Sequence, residues 1–195
     1  MDAVNVVAIV TYLVTFVFHD QSVDIHSKVA QLENALNAEG FAIDYIHSGP
    51  IIRRESVFSN YSLDERRRLL YKILMFTTSC PISHETVIIN RKEAKDKLSL
   101  SGRLSRAITN MVEQHDDFFS KYEKLIVYYD YGQQDLSVIL NAIFSAHFPN
   151  VEFRKAAQKE YRLLQSADFI CTMELVRVKW RENRLSQSED HFFYK

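Results

Sequence analysis

Five consecutive strand formers, Leu125-Ile-Val-Tyr-Tyr129, run without polar alternation and stop on Asp130-Tyr131-Gly132. A strand with one wet face would alternate apolar and polar residues. Its absence here predicts a strand covered on both faces, and the acid and glycine that follow predict a turn. Asp130 is thereby placed at the carboxyl end of a buried strand, where open α/β sheets receive their ligands. A second carboxylate, Asp168, lies within residues 163–171, Leu-Leu-Gln-Ser-Ala-Asp-Phe-Ile-Cys, a helical stretch otherwise too apolar to face water. A buried carboxylate needs a cation, a donor or a partner.

The remaining chain supplies alternating strands and helices. Val6 to Phe18 is apolar and reads as buried sheet, Tyr12 to Phe18 being its surest part, and it is shorter than the roughly 20 residues of a membrane span. Ser22 is the expected N-cap of a helix to about Ala38, with Ile25, Val29, Leu32 and Leu36 at helical spacing and Gly40 as its stop. Phe41 to Ile46 is the next expected strand, closed by the turn His47-Ser48-Gly49-Pro50. Ser62 and Glu65 form a capping box ahead of a helix over Leu63 to Thr77, which Pro81 forbids from continuing. A strand over Ser83 to Asn90, a helix from about Leu98 to Tyr122, a helix over Gln134 to His147, a strand over Val151 to Ala156 and a helix from Tyr161 to about Arg181 complete the pattern. Residues 1–185 are expected to form one domain and 186–195 a C-terminal tail that frays or docks. The order predicts an α/β fold, a mixed sheet with helices on both faces.

Composition narrows the chemistry. With 47% hydrophobic and 25% charged residues and a net charge of −1, the chain has the makeup of a soluble globular protein without a global attraction for nucleic acid. Any such binding must come from local patches: Arg53-Arg54, Arg66-Arg67-Arg68, or Arg177, Lys179, Arg181 and Arg184. Cys80 and Cys171 sit in apolar surroundings without metal-ligand spacing, which points to reduced thiols and a cytoplasmic setting. No Gly-rich phosphate loop and no nucleophile elbow is present. Hydrolysis through a covalent nucleophile therefore has no support.

Four segments, Tyr12–Phe18, Ile46–Pro50, Val127–Gln133 and Tyr161–Cys171, resemble the domain-of-unknown-function family 3800, whose members are similar to ribonuclease H-like nucleases and integrases. The last two segments carry most of the specificity. The resemblance implies a ribonuclease H-like mixed sheet flanked by helices, with carboxylates gathered around Mg²⁺ or Mn²⁺. Asp130 and Asp168 match the central-strand and last-helix positions and are the expected metal ligands. His47 joins them as a candidate catalytic group, while Gln133 and Gln165 are candidates for binding cofactor or substrate. Members of the family open on a strand ending in Asp-Glu-Ser-Gly, and nothing before Tyr12 carries it. Either Val6 to Val10 is that strand with its acidic turn lost, or the chain starts after it; Asp20 and Glu160 are the acids that could stand in. Two function classes follow: a metal-dependent phosphodiesterase or nuclease relative, and a degenerate binding or assembly module that keeps the fold without activity. An unprotected sheet edge left by a missing first strand predicts a homodimer.

Overall fold

The computed structural model describes residues 11–130 and 134–195. The chain is mixed α/β, with eight α-helices and two two-stranded sheets among the described residues. Strand β1 (Thr11–His19) pairs with β2 (Ile82–Asn90), and β3 (Leu125–Asp130) pairs with β4 (Val151–Ala156). Contacts gather the described residues into two compact units, one of 11–14, 87–128 and 134–154 and one of 15–86, 129–130 and 155–195. The expected strand over Val6 to Val10 lies outside the described residues.

The first unit holds α4 (Lys97–Gln114), α5 (Asp116–Phe119) and α6 (Gln134–His147) with most of β3 and β4. Asp96 caps α4 by accepting the Ser99 N–H at 2.7 Å. The long helix expected from Leu98 to Tyr122 breaks at His115, whose carbonyl accepts the N–H groups of both Phe118 and Phe119. The break has a packing reason. It sets the Phe119 ring edge-on to Phe144 at 6.0 Å and 5.1 Å from Phe148, joining α5 to the α6 face that buries Leu136, Leu140 and Ile143.

The second unit contains α1 (His26–Ala38), α2 (Ser48–Arg53), α3 (Leu63–Ser79), α7 (Arg162–Arg181) and α8 (Gln187–Tyr194) around one apolar core. Helix α1 starts three residues later than expected, because Ser22 gives its amide to Asp20 while Asp24 accepts the amide of His26. It ends at Gly40, whose φ of +71° is the left-handed turn that a helix stop requires. The capping box of α3 forms as expected, with Ser62 and Glu65 exchanging hydrogen bonds.

Residues 41–46 differ from expectation. They form no strand among the described residues. Phe41 and Ile46 are nonetheless buried, and the Ile46 amide is satisfied by the side chain of Gln165 on α7 instead of by a neighbouring strand. Residues 186–195 take the docking alternative rather than fraying. Ser186 and Glu189 make a second capping box, Phe192 is 2% exposed, and the guanidinium of Arg66 lies 5.5 Å from the Phe192 ring centre.

Helix α8 is anchored by a nearly buried ion pair, Lys179 Nζ to Glu189 Oε1 at 2.7 Å. Burial alone would raise the Glu189 pKa; the Lys179 ammonium and the Ser186 amide and hydroxyl outweigh it and hold the carboxyl below its ordinary value. A depressed folded-state pKa contributes stability above the unfolded value near 4.5, lost as pH falls through the folded value. Acid titration followed by the fluorescence of Trp180, the chain's one tryptophan, is expected to show α8 releasing below that pH. In Glu189→Gln the acid step should be absent.

Candidate functional site

Helix α7 carries two polar side chains one turn apart, both turned inward. Gln165 is fully buried, and the side chain of Asp168 is 15% exposed. Gln165 Oε1 accepts the Ile46 N–H at 3.1 Å, and Asp168 Oδ2 accepts the Ser48 N–H at 2.8 Å. Residues three apart on a helix face the same side, and residues two apart on an extended chain do likewise. The pair therefore grips the two amides that point toward α7. A buried carboxylate in this apolar setting is tolerated because its oxygens are satisfied by such donors.

The grip presents His47. Its Nε2 lies 3.1 Å from Asp168 Oδ1, and the Tyr45 ring centre is 6.2 Å away. The hydrogen bond to Asp168 raises the imidazole pKa above its ordinary value; burial opposes this, and the Asp130 charge adds to the rise while Arg53 offsets it. Asp130 ends β3, and its Oδ2 accepts a long hydrogen bond, 3.4 Å, from Gln158 Nε2. Gln158 is itself held through Gln165, whose Nε2 donates to the Gln158 carbonyl at 2.8 Å. One amide side chain thus fixes both arms of the site: the 46–48 segment that meets Asp168 and the 158 loop that meets Asp130.

The structure sets His47 against Asp168, with Gln165 one turn away on α7, while Asp130 acts on this pair through its charge alone. Gln133 lies outside the described residues. Asp20 and Glu160 are spent locally, on the Ser22 and Ala157 amides. Most of the arginines expected to meet phosphate are also engaged within the chain. Arg53 makes a two-pronged bond to Glu55, with its guanidinium where a Cβ on Gly49 would stand at 3.1 Å. Arg66 is 4% exposed and donates to the Ile51 and Ile52 carbonyls, Arg67 to the Phe192 carbonyl and Arg68 to Glu39. Arg177 pairs with Glu174 and Arg184 with Glu182, while Arg181 is exposed.

Two groups at the site carried no signal in the sequence. Ser48 Oγ and Gln158 Oε1 are buried and have no hydrogen-bond partner among the described residues. An unpaired buried polar atom costs about 1–3 kcal/mol. Ser48 read as a turn residue, and Gln158 stands in a loop far along the chain from Asp130, so neither position announced itself. Both oxygens are closed to solvent. The carboxylates of Asp130 and Asp168 are hard oxygen donors of the kind that Mg²⁺ or Mn²⁺ prefers. A two-metal centre normally draws on more carboxylates, and among the described residues no group of three or more His, Cys, Asp and Glu side chains gathers to hold a metal.

A shallow cleft of about 530 Å³, lined by Trp180, Leu185, Asp190 and Tyr194 among others, shares none of these residues. Burial raises the pKa of both Cys80 and Cys171, keeping the thiols protonated and unreactive. No described helix is long and apolar enough to cross a membrane. Comparison of the chain with protein-family models, with curated proteins and with solved structures returns no match.

Gln165→Leu keeps the volume and removes every hydrogen bond that Gln165 makes. Urea denaturation is expected to show a loss of about 2–4 kcal/mol, from the Ile46 amide and the Gln158 carbonyl left unpaired in the interior. A change below about 0.5 kcal/mol would show that these groups find other partners.

Proposed function

We infer that this chain is a ribonuclease H-like protein of the metal-dependent phosphodiesterase class, with Asp130 and Asp168 as ligands of a single Mg²⁺ or Mn²⁺ and His47 as the adjacent proton carrier. The observation that carries this reading is the contact of Asp168, on the last long helix, with His47, an imidazole that also feels the charge of Asp130 at the end of β3. The resemblance of the Val127–Gln133 and Tyr161–Cys171 segments to family 3800 supports it. A divalent ion bound there would activate water and stabilise negative charge developing on a phosphodiester. Asp168 orients His47 and holds the Ser48 amide, while Gln158 steadies the Asp130 carboxylate. The class of substrate is nucleic acid, met by local cationic groups such as exposed Arg181.

A second reading has its own observation. Both Asp168 oxygens already accept hydrogen bonds, from Ser48 and from His47. That arrangement suits a degenerate binding or assembly module in which the pair serves to fix the fold.

Calorimetric titration with Mn²⁺ separates the two. The enzyme reading expects saturable binding to the wild type that weakens on the order of tenfold or more in Asp168→Asn and in Asp130→Asn. Circular dichroism is to show both variants folded, and Asp130→Asn decides the matter if Asp168→Asn does not fold. Cleavage of single- or double-stranded DNA or RNA by the wild type should then depend on added metal. A folded wild type that takes up no Mn²⁺ at millimolar concentration leaves the module reading.

A further inference from the structure

The corner between α7 and α8 holds a second place for a ligand, independent of the metal reading. We propose that its shallow cleft of about 530 Å³ binds a methylated ammonium group, with Trp180, Tyr194 and Leu185 meeting the methyls and the Asp190 carboxylate meeting the charge.

Helix α8 has two faces. Glu189 and Phe192 are buried in the second unit, whereas Gln187, Asp190 and Tyr194, three and four residues apart, share the stripe that lines the cleft. Trp180 reaches the cleft from the last turn of α7, and Leu185 from the link between the helices. The two aromatic side chains stay wet: Trp180 is 58% and Tyr194 62% exposed, although they line one hollow. Large apolar groups left open together mark a binding surface more often than a structural one. The charge in this hollow has one sign. No basic residue lines it, and among the described residues Asp190 makes no side-chain hydrogen bond or ion pair. Lys179 and Arg184, on the elements that form the corner, are taken by Glu189 and Glu182.

This combination selects among ligands. An anion would be repelled by Asp190, and a neutral apolar molecule would gain nothing from it. A lysine ammonium is compact and strongly hydrated, so ring surface offers it little. An ammonium capped by methyl groups holds water weakly, is drawn to indole and phenol rings, and lays its methyls on Leu185. The volume lies within the roughly 300–1,000 Å³ of small-molecule sites. Because the cleft is shallow, the affinity is modest.

The chain's one tryptophan lines the cleft and so reports on it. Trp180 fluorescence in the full chain is expected to change saturably with tetramethylammonium, with half-saturation on the order of 1–10 mM. Sodium at matched ionic strength and neohexanol, the uncharged carbon isostere of choline, should not produce the change. Asp190→Asn and Tyr194→Leu, both exposed positions, should each weaken binding about 2–5-fold with unchanged circular dichroism. Choline and a trimethyllysine peptide are then titrated in turn, and the tighter of the two gives the source of the group. An equal response to neohexanol would show a merely apolar hollow and overturn the proposal. A response to tetramethylammonium that stays linear to about 100 mM would overturn it too, as would unchanged affinity in both variants.

Discussion

The grip of α7 on the 46–48 segment is the interaction on which the rest of the site depends. Gln165 and Asp168 accept the amides of Ile46 and Ser48, three residues apart on the helix matching two residues apart on the extended chain. The match substitutes side-chain oxygens for the carbonyls of a neighbouring strand. It stations His47, the residue between the two bound amides, against Asp168, and through the second arm of Gln165 it stations Gln158 against Asp130. Removing the amide of Gln165 would therefore loosen both carboxylate environments together, although Gln165 itself reaches no surface.

The same arrangement explains why polar groups persist in an apolar unit. Helix α7 packs against α3 through Phe169 and Ile170 and also through a buried hydrogen bond from Thr77 to Ser166. Helix α3 sends Arg66 to the carbonyls that end α2, the helix that Ser48 begins. Most buried donors here find an acceptor, the general condition for polar groups in a protein interior; the Nε of Arg66 does not among the described residues. The exceptions at the site are Ser48 Oγ and Gln158 Oε1, one beside each carboxylate.

Periodicity made much of the fold legible, but only where local rules dominate. The capping box at Ser62, the stop at Gly40, helix α6 and strand β4 follow from caps, glycine and alternation that act within a few residues. Residues 41–46 have the composition of a strand and are not one among the described residues, because their hydrogen-bond partner is a glutamine 119 positions away. No local pattern carries that information. Asp130 and Asp168 stood out because a carboxylate in an apolar run is conspicuous, and His47 because it closes such a run. Ser48 and Gln158 did not, since a serine in a turn and a glutamine in a loop look the same whether or not their oxygens are buried. Most of the arginine patches read as surface charge and are instead engaged with partners in the chain, which adjacency in sequence does not reveal.

The proposed function turns on Asp130 and Asp168 facing one cation. Crystals soaked in Mn²⁺ and measured at the manganese absorption edge would locate that ion without reference to activity. An anomalous peak between the two carboxylates is the expected result. Well-ordered carboxylates with no peak between them, in crystals where Mn²⁺ is seen elsewhere or not at all, would contradict it.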